Sequence, residues 1–143
     1  MIKKIFVATF AFIVNQEAKV LLVRRAPHDT FPGRWELPGG GLDSGERPEE
    51  SIEREVIEEV GLNVNAVRPL SVTTHENHDG TSDIVRITYE CRIVDNNEEV
   101  SLDIDHDAFQ WVNQDKLHSF DKKAPLYDIA IDIANSKTIS TNF

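Results

Sequence analysis

The stretch Pro38–Leu62 reads PGGGLDSGERPEESIEREVIEEVGL. Its opening is loop: Pro38 to Gly45 holds four glycines, which favour turns over regular elements. Pro48 then starts a helix, because a proline at the first helical position has no N–H to leave unpaired. Gly61 ends it as a left-handed cap. Between them Ile52, Val56 and Val60 recur every four residues and form a buried stripe. Glu55, Glu58 and Glu59 sit on the same helix at i, i+3 and i+4, so their carboxylates share one region of its surface. Carboxylates held that close repel unless a cation neutralises them. Their oxygens are preferred ligands of Mg²⁺ and Mn²⁺. Taken alone, such a face reads better as a solvated one, with Arg54 paired to Glu58 and Arg47 to nearby acids.

Working outward, Ile5–Val14 is rich in Phe, Val and Ile and reads as a buried strand. Lys19–Arg25 reads as its hairpin partner across the turn Asn15–Ala18. Ala26–Arg34 holds Pro27, Pro32 and Gly33 and is a loop. Trp35-Glu36-Leu37 makes a very short strand. Residues 64–75 and 83–94 form two strands around Asp79-Gly80. Phe109–Val112 is a further strand, Asn113–His118 one helical turn, and Pro125–Ser136 a C-terminal helix by its apolar spacing. The order is strands, helix, strands, helix. That predicts an α+β domain, layered α/β/α, spanning residues 1–143 as one unit.

Composition sets limits. The chain has 143 residues, enough for one cored domain. Fifteen Lys and Arg against 25 Asp and Glu give a formal charge of −10, which disfavours general binding to nucleic acid. No apolar run reaches the roughly 18 residues of a membrane helix. Lys3 and Lys4 before Ile5–Val14 mimic a signal peptide, but no small-residue cleavage site follows. Cys91 is the only cysteine. It reads as a buried filler and a reducing, cytoplasmic setting is expected. A homodimer is the base-rate assembly.

The spacing from Gly40 is more specific than the carboxylates alone. It runs Gly40, five residues, Glu46, seven residues, Arg54-Glu55-Val56, one residue, Glu58-Glu59, one residue, Gly61-Leu62. This pattern over residues 40–62 resembles the Nudix box at every specified position. Arg24-Arg25-Ala26, the approach Gly33-Arg34-Trp35-Glu36-Leu37-Pro38-Gly39-Gly40 and Phe109-Gln110-Trp111-Val112 are similar to the flanks of MutT-like Nudix hydrolases.

The resemblance implies an α/β/α sandwich on a mixed sheet. It implies hydrolysis of a nucleoside diphosphate linked to another moiety, by attack of water on phosphorus, with Mg²⁺ or Mn²⁺ as cofactor. Glu55, Glu58 and Glu59 match the metal-binding glutamates, and the Gly39 carbonyl a backbone ligand. Glu46 and Arg54 match the pair that holds the loop to the helix, so with Gly40 and Gly61 they are structural. Glu55 and Glu59 are the candidates for the group that takes the proton of water. Arg25 matches a phosphate-contacting arginine, and Trp35 offers a face for a base or a packed anchor. Asp103, Asp105, His106 and Asp107 lie where relatives often place an extra acidic ligand or base, though the stretch reads better as a polar connection, and no member stands out. His75, Glu76 and His78, near a hairpin tip, read better as solvated loop than as a metal site.

Marks outside the box narrow the substrate. The downstream proline of ADP-ribose hydrolases is missing around His78. The tyrosine of diadenosine polyphosphate hydrolases and the marks of NADH and coenzyme A enzymes are missing too. These absences favour a MutT-like nucleoside triphosphate pyrophosphatase that releases a monophosphate and pyrophosphate. Gly41 stands where MutT has a lysine, which speaks against 8-oxo-dGTP specificity. The alternative is an ADP-ribose or nucleotide-sugar pyrophosphatase. A non-catalytic nucleotide-binding sensor is a third reading, opposed by the intact Glu55, Glu58 and Glu59.

Overall fold

The computed structural model describes residues 3–120. The expected helix over Pro125–Ser136 lies outside them. Seven strands form one mixed sheet: β1 Lys4–Val14, β2 Lys19–Arg25, β3 Trp35–Glu36, β4 Gly39–Gly41, β5 Val64–Glu76, β6 Ser82–Ile93 and β7 His106–Asn113. The long helix α1, Pro48–Val60, follows β4. A 3₁₀ turn, Gln114–Lys116, and the short α2, Leu117–Phe120, follow β7. No helix among the described residues is long and apolar enough to cross a membrane.

The expected pairing of β1 with β2 exists only at its tip, where Val14 faces Val20. Beyond that point the strands part. β1 runs parallel to β6 from Lys4 opposite Ser82 to Val14 opposite Arg92. β2 runs antiparallel to β7 from Lys19 opposite Asn113 to Arg25 opposite His106. β7 therefore starts at His106, ahead of the expected Phe109. The segment 35–41 fills the gap between β1 and β2, with Trp35 of β3 opposite Arg24 and Gly39 of β4 opposite Phe10. The stretch expected as loop is thus partly strand. Its glycines permit this, because the backbones come close: a Cβ on Gly39 would meet the Thr9 carbonyl oxygen, and Phe10 Cα at 2.8 Å. β5 completes the sheet as the antiparallel partner of β6.

Side chains alternate across a strand, and both faces of β1 are covered from Thr9 to Ile13, whereas Ile5 and Phe6, expected in a buried strand, are exposed. Ala11 and Ile13 of β1, with Leu21 and Val23 of β2, pack under Ile52, Val56 and Val60 of α1. Phe10, Phe12, Val20 and Leu22 point the other way and pack with Leu37, Val112 and Leu117. This is why β1 and β2 read as unbroken apolar runs rather than alternating ones. Each fully buried aliphatic side chain contributes about 2 kcal/mol by area. The helix ends as its sequence predicts: Gly61 has φ 72° and its N–H donates to the Ile57 carbonyl. The buried hydroxyls of Thr9 and Ser51, 3.1 Å apart, tie α1 to β1.

Candidate active site

Because β4 is pinned to β1, its glycines lie against the polar side of α1. The Gly39 N–H donates to Glu59 Oε2 at 2.7 Å. Gly40 presses on Glu55: a Cβ there would stand 2.7 Å from Glu55 Oε1. Glu55 and Glu59 are therefore half-buried beneath the glycine strand, whereas Glu58 is exposed.

Arg54 faces the same acids from the side. Its Nε and Nη2 donate to the two oxygens of Glu46 at 2.6 and 3.0 Å, a bidentate fork. Its Nη1 donates to Glu55 Oε1 at 3.3 Å and Glu58 Oε2 at 3.1 Å. Glu46 in turn accepts from the Asp43 N–H at 3.0 Å. The loop before α1 is thereby fastened to the helix. The Arg54 hydrogen bonds hold the Glu46 carboxyl down to about 2.

Glu59 is set apart electrostatically. Burial, helped by the neighbouring Glu55 and Glu36 charges, pushes its carboxyl up to about 8 against the opposing pull of His106 and the Gly39 N–H. Burial also raises Glu55, partly offset by Arg54.

Of the four candidates Asp103, Asp105, His106 and Asp107, two reach this region. Asp103 Oδ1 lies 2.7 Å from His106 Nδ1. Ligand-type atoms of Glu59, Asp103 and His106 lie within 4.8 Å of one another. The Asp103 N–H donates to the Glu59 carbonyl at 3.0 Å, and the Ser101 N–H to that of Val60 at 2.9 Å. Asp105 and Asp107 point elsewhere, to His28 at 3.0 Å and Arg24 at 2.7 Å.

Arg25 is engaged on both sides. Its Nη1 pairs with Asp29 at 2.7 Å and its Nη2 with Glu36 at 2.9 Å. Trp35 packs edge-on against Phe120, with centroids 5.1 Å apart, and under Arg24. His75 and Glu76 end β5 at the surface, Glu76 bonded to Lys3. His78 packs edge-on to Phe31. Cys91 is buried, which drives its thiol up to about 12.

Sequence reasoning passed over one residue, Glu36. It is buried in a two-residue strand. It bonds Arg25 on one side and has Oε1 3.7 Å from His106 Nε2 on the other. A carboxylate between Trp35 and Leu37 in an apolar stretch was the available signal, since buried acids are nearly always paired.

Comparison with known proteins agrees with this geometry. The NUDIX domain family model matches residues 4–132. The nucleoside triphosphatase NudI of Enterobacter sp. (strain 638) is 31% identical, over 76% of this chain and 82% of that one. The NudI protein of Escherichia coli O17:K52:H18 (strain UMN026 / ExPEC) is 29% identical, over 89% of each. In three dimensions a MutT protein from Methanosarcina mazei Go1 superposes with a TM-score of 0.84 at 24% identity, over 96% of this chain and 98% of that one. A MutT NUDIX hydrolase from Burkholderia pseudomallei gives 0.66 at 28% identity, over 92% and 98%. With its box strand, helix and buried glutamate assembled as described, the chain belongs to the Nudix family and is a Nudix hydrolase.

Proposed function

We propose that the protein is a divalent-metal-dependent nucleoside triphosphate pyrophosphatase, yielding a nucleoside monophosphate and pyrophosphate. The observation that carries this is the Glu59 carboxylate, held under the Gly39 N–H beside Glu55 and Asp103. The relatives named nucleoside triphosphatase support the substrate class.

The donors suit a hard cation. Glu55 and Glu59 both hold their protons more tightly than free carboxylates do, the mark of acids crowded in a poorly solvated place, which a divalent ion relieves. Glu55, Glu58, Glu59 and the Gly39 carbonyl would hold Mg²⁺ or Mn²⁺. Such an ion, when bound, offsets phosphate charge and acidifies water.

The chain's own groups do the rest. Glu59 Oε2 is committed to the Gly39 N–H, so Oε1 is the oxygen that takes the proton of the attacking water. Glu55 is the second candidate for it. Arg54 and Glu46 fasten the loop to the helix that carries both glutamates. Arg25 reaches substrate phosphate by exchanging Asp29 for it, and Trp35 forms part of the substrate wall. A cytoplasmic setting and a homodimer complete the reading.

Product analysis over a nucleotide panel with Mg²⁺ or Mn²⁺ tests it. Pyrophosphate released from triphosphates is the expected result. Turnover of ADP-ribose or a nucleotide sugar, with every triphosphate untouched, would move the assignment to that substrate class.

A further inference from the structure

We propose that His106 is a positioning residue for this site: from its buried place among Glu36, Asp103 and Glu59 it fixes where the Asp103 and Glu59 carboxylates point. The inference rests on the reading of Glu59 given above.

The imidazole is only 5% exposed. Both its nitrogens face acids, Nδ1 bonded to Asp103 at 2.7 Å and Nε2 3.7 Å from Glu36 Oε1. Glu36 does not drift, because its other oxygen is paired to Arg25 at 2.9 Å. It sits in β3 opposite Val23, and His106 opens β7 opposite Arg25. The ring is therefore referenced to two strands of the sheet. Asp103 is referenced to the helix, through its N–H to the Glu59 carbonyl. Joining the two, His106 locks the connection before β7 against the last turn of α1, where Glu59 lies.

Charge explains why the position holds a histidine. Glu36, Asp103 and Glu59 bring three acids into one half-buried region, and Arg25 reaches only Glu36 among them. His106 sets one ring nitrogen on Asp103 and turns the other towards Glu36, so the ring stands between the acids it steers. An apolar residue of like size would fill the space yet leave these acids unsteered.

The test uses the full chain with His106→Gln, Asp103→Asn and Glu59→Gln beside wild type. Mn²⁺ affinity is read from the paramagnetic resonance of free ion, together with kcat, KM and Tm. For folded His106→Gln the expected result is Mn²⁺ affinity and kcat each down on the order of 10-fold, the usual cost of losing a group that orients a metal ligand, with KM little changed. Asp103→Asn, altered at the more open end of the pair, should do the same, and it decides the matter if His106→Gln does not fold. Wild-type Mn²⁺ affinity and kcat in the folded variants, or a fall in Tm alone, overturns the inference if Glu59→Gln has lost both. If Glu59→Gln keeps both, the reading of Glu59 itself fails, and the inference with it.

Discussion

The backbone N–H of Gly39 donates to the Glu59 carboxylate across 2.7 Å, joining the glycine strand to the last turn of the box helix. One bond thereby couples the sheet, which fixes Gly39 through β1, to the carboxylate with the most displaced titration in the site. The neighbouring glycine does a different job for Glu55, and the two separate by substitution.

Gly40→Ala should impair function with little loss of stability. The atoms nearest the new Cβ are the flexible end of Glu55, which moves aside and leaves the site misaligned. A kcat lower by about 10- to 100-fold is expected from displacement of that size, with Tm nearly unchanged. Gly39→Ala meets the β1 backbone instead, so Tm should fall by about 5 °C or more. Calorimetry beside steady-state kinetics on both variants checks the contrast.

The metal-free protein should lose stability as pH rises from 6.5 to 9. Glu59, raised from 4.5 to about 8, binds its proton more tightly when folded, so its effect on stability worsens as pH climbs through that range. His106, raised from 6.5 to about 9, stabilises below 6.5 and loses that contribution as pH rises through 9. Both slopes have the same sign. Since a ligand must be deprotonated, the Tm gained on adding Mn²⁺ should grow over the same window. Thermal melts with and without chelator at stepped pH show it, and a flat metal-free curve would refute it.

Arg54→Lys should fail to replace arginine. A point charge cannot span both oxygens of Glu46 while reaching Glu55 and Glu58. Tm should drop by several degrees at neutral pH and activity should fall with it. The gap to wild type should narrow below pH 4.5, because Glu46 contributes above its unfolded value and loses that contribution as pH falls towards about 2. Melts of the two proteins between about pH 3 and about pH 7 measure this.

Val56→Ala should cost about 2 kcal/mol in urea unfolding, from lost burial and the cavity left between α1 and the sheet. Val56 is fully buried there with Leu21 and Val23. Its neighbour Ile57 is 53% exposed, and Ile57→Ala should stay within about 0.5 kcal/mol of wild type.

Local signals were legible, and pairings across long spans were not. Pro48, Gly61 and the stripe of Ile52, Val56 and Val60 predict α1 to the residue, because each acts within a turn of its own position. The apolar runs of β1 and β2 predict burial on both faces. The strand Gly39–Gly41 is invisible in sequence, since glycine has little strand preference and only β1 holds it there. The parallel pairing of β1 with β6 joins residues far apart in the chain, and nothing in either strand names its partner. For the same reason Asp103 and His106 could not be told from Asp105 and Asp107: the choice is made by the register of β7 on β2 and by Glu36. That Glu55, Glu58 and Glu59 share one side of α1 needed only helical spacing, whereas a metal role for them came from the resemblance of the box.

The most direct test of the central claim is pyrophosphate release from a nucleoside triphosphate with saturating Mg²⁺, wild type beside folded Glu59→Gln. Steady release by wild type, reduced in the variant by at least about 100-fold, as for loss of a proton-accepting group, is the predicted result. Equal release by both proteins would contradict it, since the carboxylate under Gly39 would then have no part in the reaction.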